Sequence, residues 1–500
     1  MKLKSFILEF TVFVCGSLVM IYEIIGSRIL SPFIGTSTYV WTSLIGVILA
    51  ALSTGYWLGG KLADKKPDVK ILASAIFLSG GAVSVTILLK DIILSGVASL
   101  DAGLEIKSLL ASALLFAPAS ILLGFVTPYA VKLKTATLDT SGRTVGRLFA
   151  FSTIGSIAGT FLAGFFLIPF VGSVRTLYII AASLLLVSFM LAPFAMTRVK
   201  LSVIVVFLFG LAASESSIYL LRHSNDLYDI DTEYSRVQVW ETTEIETNKP
   251  IRALATDPYF IQSAIYLDSD QPVLHYSRFY HLLRYFKPNF KSTLMIGGAG
   301  FTFPREYLRT YPDARITVVE IDPRMTQIAR RFFRLTDDQR MQIIHQDGRI
   351  YLNQCEDEKF DVVLLDAFGS LFTVPYQLTT LEAVKNVHRC LAHDGVVIFN
   401  LGSSISGPSS KFLAAEFATY KAVFTSVYLF KVNAKYTDEQ LQNLIIVSSK
   451  KPAIPQDQPD PTVAEMLTHR RDYDSTAQIL TDDLAPVEYY NSFAQNLYRR

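Results

Sequence analysis

The chain has 500 residues, 51% of them hydrophobic, and a positive mean hydropathy, which is too apolar for a wholly water-soluble protein of this length. A formal net charge of +2, with no basic tract in the second half, gives no electrostatic footprint for nucleic acid. Cys15, Cys355 and Cys390 are too few and too scattered for a disulfide framework or a thiolate metal centre, the seven histidines contain no His-Glu-x-x-His pattern, and no metal is expected.

The apolar excess lies before residue 221, so the sequence predicts a membrane domain of six to seven helices over 1–221. Runs long enough to cross a bilayer fall near 6–30, 38–60, 70–89, 108–131, 146–170, 174–196 and 201–221. The first follows Lys2 and Lys4 as a signal peptide would, but it has no small-residue cleavage site and reads as a span. The last is the weakest, because its apolar core is followed by Ser214, Glu215, Ser216 and Ser217. Lys and Arg residues cluster in alternate loops, which places the N-terminus in the cytoplasm. Gly59-Gly60-Lys61-Leu62-Ala63-Asp64-Lys65-Lys66 resembles the cytoplasmic loop of major-facilitator transporters, although an ordinary positive-inside loop reads the same way. Glu23 and Arg28 are too far apart for an i,i+4 pair, and each is expected to have another partner or to reach the interface. Pro118 and Pro128 flank Gly124 and would free backbone carbonyls, either as a kink or to line a cavity. Gly155 and Gly159 have the spacing of close helix contact.

Beyond the membrane half, segments 234–240, 251–256 and 263–267 read as strands of a small β subdomain over 222–275. A helix is expected over 276–286, followed by regular alternation. Strands at 292–296, 315–320, 341–345, 360–365 and 395–401 are interleaved with helices at 304–310, 323–333, 347–354, 379–391 and 408–422. Apolar runs at 425–431 and 442–448 can close an antiparallel pair. Seven strands with a terminal hairpin predict an α/β Rossmann-like domain of the S-adenosylmethionine methyltransferase type over 276–500.

The chemistry concentrates at strand ends. Ile296-Gly297-Gly298-Ala299-Gly300 places a glycine turn after the first parallel strand, where a ligand can approach the backbone. Glu320 ends the second strand and can accept hydrogen bonds from two ribose hydroxyls, while Asp347-Gly348 follows the third. Gly297, Gly298, Gly300, Glu320, Asp347 and Gly348 are therefore the candidate nucleoside-binding residues.

From 235 to 449 the sequence resembles the polyamine aminopropyltransferases, of which spermidine synthase is the type, and the whole chain resembles the bacterial group in which that domain follows a multi-span membrane domain. The resemblance rests on Ile296-Gly297-Gly298 with Arg305-Glu306, on Val319-Glu320-Ile321-Asp322-Pro323, on Asp347-Gly348-Arg349, and on Phe360-Asp361-Val362-Val363-Leu364-Leu365-Asp366. It implies a transferase that moves an aminopropyl group from decarboxylated S-adenosylmethionine to a polyamine or other amine. Glu320 would hold the ribose, Asp347 the adenine amino group and Asp366 the acceptor amine, with Gln262 and Tyr276 at the pocket rim. The implied partners are a small-molecule amine and the membrane, and a homo-oligomer is compatible with the sequence.

Two departures matter. The family's acid in the glycine turn, which holds the aminopropyl ammonium, falls on Gly300, and its second acid after the fourth strand falls on Gly369. Three explanations stand. Asp482 and Asp483 in Thr481-Asp482-Asp483-Leu484 could supply the missing carboxylates, or form only a solvated acidic turn. The domain could instead methylate with S-adenosylmethionine itself. Or it could bind an S-adenosyl compound or polyamine without turnover and regulate the membrane half. Seven spans from a cytoplasmic N-terminus would put the soluble half outside and six would keep it in the cytoplasm, which is the expected side because S-adenosyl compounds are made inside the cell.

Overall fold

The computed structural model describes residues 2–35, 37–135, 141–192, 201–212, 228–256, 260–367, 374–452 and 460–491. The chain divides into two compact units, Met1–Arg236 and Val237–Arg500.

The N-terminal unit is helical: α1 (Lys2–Ile34), α2 (Thr38–Lys65), α3 (Val69–Ala98), α4 (Leu104–Gly124), α5 (Val126–Lys134), α6 (Ser141–Leu162) and α7 (Ser173–Leu191). Among the described residues, six stretches are long and apolar enough to cross a membrane: Phe6–Ser31, Thr38–Lys65, Val69–Ala98, Leu104–Lys134, Ser141–Val171 and Ser173–Leu191. The fourth joins α4 to α5, and the fifth continues α6 through a π-helical stretch, Ala163–Val171, that contains Pro169. Of the expected seventh span, the described residues hold α8, the apolar helix Leu201–Ala212. Glu215 and the rest of that run lie outside the described residues.

Pro118 sits inside α4, and side chains from neighbouring helices bond the carbonyls around it. Tyr22 and Thr86 donate to the Leu115 carbonyl at 2.9 and 2.8 Å, and Ser79 donates to that of Ala119 at 3.1 Å. Arg28 donates to the Glu233 carbonyl at 2.6 Å, a partner outside α1. Near the other end of α1, the buried Glu9 carboxylate pairs with Lys134 and with Arg147, tying α1 to α5 and α6.

The glycine pair in α6 packs as its spacing predicts. A Cβ built on Gly155 would lie 2.0 Å from the Phe13 carbonyl oxygen, and one on Gly159 would lie 2.3 Å from that of Ser17. Gly155→Leu is therefore expected to lower the thermal midpoint of the detergent-solubilised protein by several degrees. Gly146→Ala, on the same helix with nothing within 4 Å, should leave it unchanged. Equal midpoints for the two variants would refute the close crossing.

After β1 (Tyr228–Asp231), which the sequence pattern does not reveal, β2 (Arg236–Thr243), β3 (Pro250–Ala255) and β4 (Ser263–Tyr266) form antiparallel pairs, with Trp240 opposite Ala253 and Ala253 opposite Ala264. The single helix expected over 276–286 is instead α9 (His275–Arg278), a 3-10 turn (Phe279–Leu282) and α10 (Leu283–Phe286). Phe279, Tyr280, His281 and Leu282 are all buried, a requirement that one face of a regular α-helix cannot meet over four consecutive residues.

The main sheet contains β5 (Ser292–Ile296), β6 (Arg315–Glu320), β7 (Met341–His345), β8 (Phe360–Leu365), β9 (Leu391–Ser403), β10 (Ser426–Lys431), β11 (Gln442–Ser449) and β12 (Arg470–Arg471), in the order β12-β10-β11-β9-β8-β5-β6-β7. β5, β6, β7, β8 and β9 run parallel, and β10 and β11 close the expected antiparallel pair. The eighth strand corrects the expected seven, since two residues are too short to show a period.

Alternation along β5 divides the core. Leu294 and Ile296 face the side covered by α13 (Gly348–Gln354), α14 (Leu381–Cys390) and α15 (Lys411–Lys421), while Met295 faces α11 (Thr302–Thr310), α12 (Pro323–Phe332) and α16 (Pro461–Thr468). Both faces are buried, as a sheet with parallel central strands requires.

Candidate active site

The site is built where β5, β6 and β8 end. After Ile296 the chain turns through Gly297, at φ +95°, and then through Ala299 and Phe301, which also have positive φ. Gly297 has a steric reason to be glycine, since a Cβ there would stand 2.5 Å from the Asp366 carbonyl oxygen. The first turn and the end of β8 thus share one wall.

Glu320 closes that turn from below. Its Oε2 accepts from the amides of Gly298 and Ala299, both at 2.9 Å, and its Oε1 accepts from the Asp322 amide at 3.0 Å. The carboxylate is buried; desolvation pushes its proton affinity up, and the three amides pull it back. A carboxylate offers about four acceptor positions, so three amides leave about one facing outward for a hydroxyl. Glu320 therefore organises the turn. Asp322 then caps α12, accepting from the Arg324 amide at 2.9 Å with Pro323 in the first helical turn.

Gly300 is enclosed. Its amide donates to Ser263 Oγ at 2.9 Å, and a Cβ at this position would lie 2.7 Å from Ser263 Cβ and 3.2 Å from Phe333. An aspartate would not fit there without displacing both. Gln262, the neighbour of Ser263, donates to the Thr256 hydroxyl. Asp347 caps α13, its Oδ1 accepting from the Ile350 amide at 3.0 Å. Gly348 lets α13 approach β5, because a Cβ there would meet Ile296 Cγ2 at 2.5 Å.

Asp366, just past β8, is half-buried. Tyr276 donates to its Oδ2 at 3.4 Å and Asn400 to its Oδ1 at 3.1 Å, while Asn443 in turn donates to Asn400 Oδ1 at 3.3 Å. Desolvation raises the carboxyl to about 6, and the bonds from Asn400 and Tyr276 oppose part of that rise. Desolvation and the neighbouring carboxylate push the Tyr276 and Tyr280 phenols well above their usual range, so both stay neutral. Tyr280 packs edge-on against Tyr276 and Phe303.

The structure thus brings Tyr276 to Asp366, and Glu320 to Gly298 and the glycine turn. It holds Asp482 elsewhere: this carboxylate takes Arg349 at 3.0 and 2.6 Å and the Thr380 hydroxyl at 2.6 Å. Asp482 is tied into an ion pair, and Asp483 beside it is exposed. Gly369 lies outside the described residues. Sequence reasoning missed Tyr280, Ser263, Asn400 and Asn443. Asn400 carries a usable signal, since it interrupts the apolar run of β9. The parallel pairing of Leu365 with Phe399 sets it level with Asp366.

The C-terminal unit is thus a Rossmann-like domain with a glycine turn, an acid at the end of its second parallel strand and a half-buried aspartate just past the fourth. Residues 275–458 match the Spermine/spermidine synthase domain family. The chain is 26% identical over 299 residues to the polyamine aminopropyltransferase of Vibrio vulnificus, covering 57% of this chain and 97% of the relative. It is 23% identical over 447 residues to polyamine aminopropyltransferase 1 of Streptomyces coelicolor, covering 82% and 78% respectively. Among solved structures, a probable spermidine synthase from Corynebacterium glutamicum is 21% identical with a TM-score of 0.44, covering 51% of this chain and 96% of that one.

Proposed function

We propose that the C-terminal unit transfers an aminopropyl group from decarboxylated S-adenosylmethionine to a polyamine or other amine, and that the six apolar helices anchor it in a membrane. The observation that carries this reading is the half-buried Asp366 carboxylate, flanked by Tyr276 and Asn400 and adjoining the glycine turn. A carboxylate with no cationic partner there attracts a cation, and the two neutral donors fix its orientation. Its raised proton affinity also suits it to accept a proton from a bound ammonium near neutral pH.

The co-substrate supplies a sulfonium leaving group. The freed amine nitrogen forms a bond to the methylene carbon beside sulfur, the carbon–sulfur bond breaks, and its electron pair stays on sulfur in neutral methylthioadenosine. The proton lost by the amine goes to Asp366. The protein's share is to hold the nitrogen in line and neutral. Glu320, Asp347 and the turn around Gly297 and Gly298 are assigned to the nucleoside.

One observation favours a second reading. Ser263 and Phe333 fill the space at Gly300 where an ammonium-holding acid would project, which is compatible with methyl transfer from S-adenosylmethionine. Incubating the full-length protein in detergent with a diamine and each co-substrate separates the two readings. Methylthioadenosine with an aminopropylated amine is the expected result; S-adenosylhomocysteine with a methylated amine would replace it, and neither product would overturn both. The soluble unit is assigned to the cytoplasm, where both co-substrates are made, and a reporter fused after Arg500 that is active only outside the cytoplasm should remain silent.

A further inference from the structure

We infer that Arg349, held by Asp482 from the C-terminal segment, is a positioning residue that sets Asp347 for recognition of the adenine base. The inference rests on the assignment of Asp347 to that base.

The Arg349 side chain is largely buried and uses its whole guanidinium. Nε donates to Asn353 Oδ1 at 3.0 Å; Nη1 donates to the Gln377 carbonyl at 2.7 Å, to the Thr380 hydroxyl at 2.9 Å and to Asp482 Oδ1 at 3.0 Å; Nη2 donates to Asp482 Oδ2 at 2.6 Å. The paired contacts to Asp482 form the two-pronged geometry that a lysine cannot reproduce. Asp482 is fixed from its other side, since its amide donates to Glu382 at 3.0 Å and its Oδ1 accepts from Thr380, the capping residue of α14.

This cluster has a mechanical reason. α13 has only 7 residues, too few to be stable alone, so its direction depends on contacts from outside. Gly348 presses its start against the end of β5, and two residues beyond Asp347 the arginine ties it to α14, to the turn at Gln377 and to the C-terminal segment. Asp347 spends Oδ1 on the Ile350 amide, which leaves Oδ2 for an exocyclic amine. Where Oδ2 points is set by the first turn of α13, and therefore by Arg349. Asp482 thus serves the site by holding another side chain, not by touching a substrate.

Base selectivity reports this role, because a general loss of packing would weaken all nucleosides alike. Methylthioadenosine carries an amino group at the position where methylthioinosine carries a carbonyl, and only the former can donate to Asp347. Binding of both is measured by calorimetry with the full-length protein in detergent, for the parent, Arg349→Lys, Arg349→Ala and Asp482→Asn. The parent should prefer methylthioadenosine by about tenfold or more. Each variant should lose most of that preference, and Arg349→Lys should not restore it. Asp482→Asn keeps the side chain's size at an exposed position while removing its charge and one acceptor oxygen, so it keeps the test available if Arg349→Ala does not fold. A parental preference retained in Asp482→Asn overturns the inference alone. Failure of the parent to bind either nucleoside overturns the adenine assignment and the inference with it.

Discussion

Asp366→Asn is expected to lower turnover by about a hundredfold to ten-thousandfold, the range spanned by a positioned acid or base, while nucleoside affinity stays nearly unchanged. The variant keeps the shape of the side chain and its neighbours Tyr276 and Asn400, but it can neither pair with an ammonium nor take its proton. Activity of the parent should rise with pH through about 6 as the half-buried carboxyl ionises, and residual activity of the variant should lack that step. Stability runs the other way. A carboxyl raised by burial binds its proton more tightly when folded than when unfolded, so ionising it between the usual carboxylate range and about 6 costs folding energy. At pH 7 the asparagine variant should therefore unfold at a temperature no lower than the parent. Turnover at the parental rate would remove Asp366 from the chemistry, and a lower unfolding temperature would trace the lost activity to a damaged fold.

Glu320→Ala should weaken binding of methylthioadenosine by more than tenfold and also destabilise the C-terminal unit by several kcal/mol. Three buried amides, those of Gly298, Ala299 and Asp322, would lose their acceptor, and each such orphan costs about 1–3 kcal/mol. Calorimetry for the nucleoside and thermal unfolding without ligand measure the two effects separately. Unchanged affinity in a folded variant would remove Glu320 from the nucleoside site; unchanged stability would contradict its place as the acceptor for the turn.

The parallel strands were legible to the residue because each is a short apolar run bounded by turn residues: β5, β6, β7 and β8 lie where their hydrophobic runs lie. Glu320 and Asp366 were legible as acids at the ends of such runs. The segment from His275 to Phe286 was not, since its apolar residues are spaced as a helix would space them and only burial of four in succession breaks the coil. Asn400 and Asn443 reach Asp366 through pairing between strands distant in sequence, which no local pattern encodes. The partner of Asp482 was hidden for a related reason. A cluster of acids near a chain end announces charge but not its partner, and the partner, Arg349, is 133 residues away.

The wall shared by Gly297 and Asp366 has a thermodynamic consequence. A Cβ built on the glycine would stand 2.5 Å from the aspartate's carbonyl oxygen, and the Asp366 amide donates to the Ile296 carbonyl at 2.9 Å, so the backbone proposed to meet the nucleoside is bonded to the backbone that carries the carboxylate. Whatever ordering energy the first ligand spends on one is already spent for the other. Linkage then makes the effect mutual: the nucleoside tightens the amine by the same factor as the amine tightens the nucleoside, so the two halves of the reaction would assemble cooperatively even though neither ligand needs to touch the other's residues.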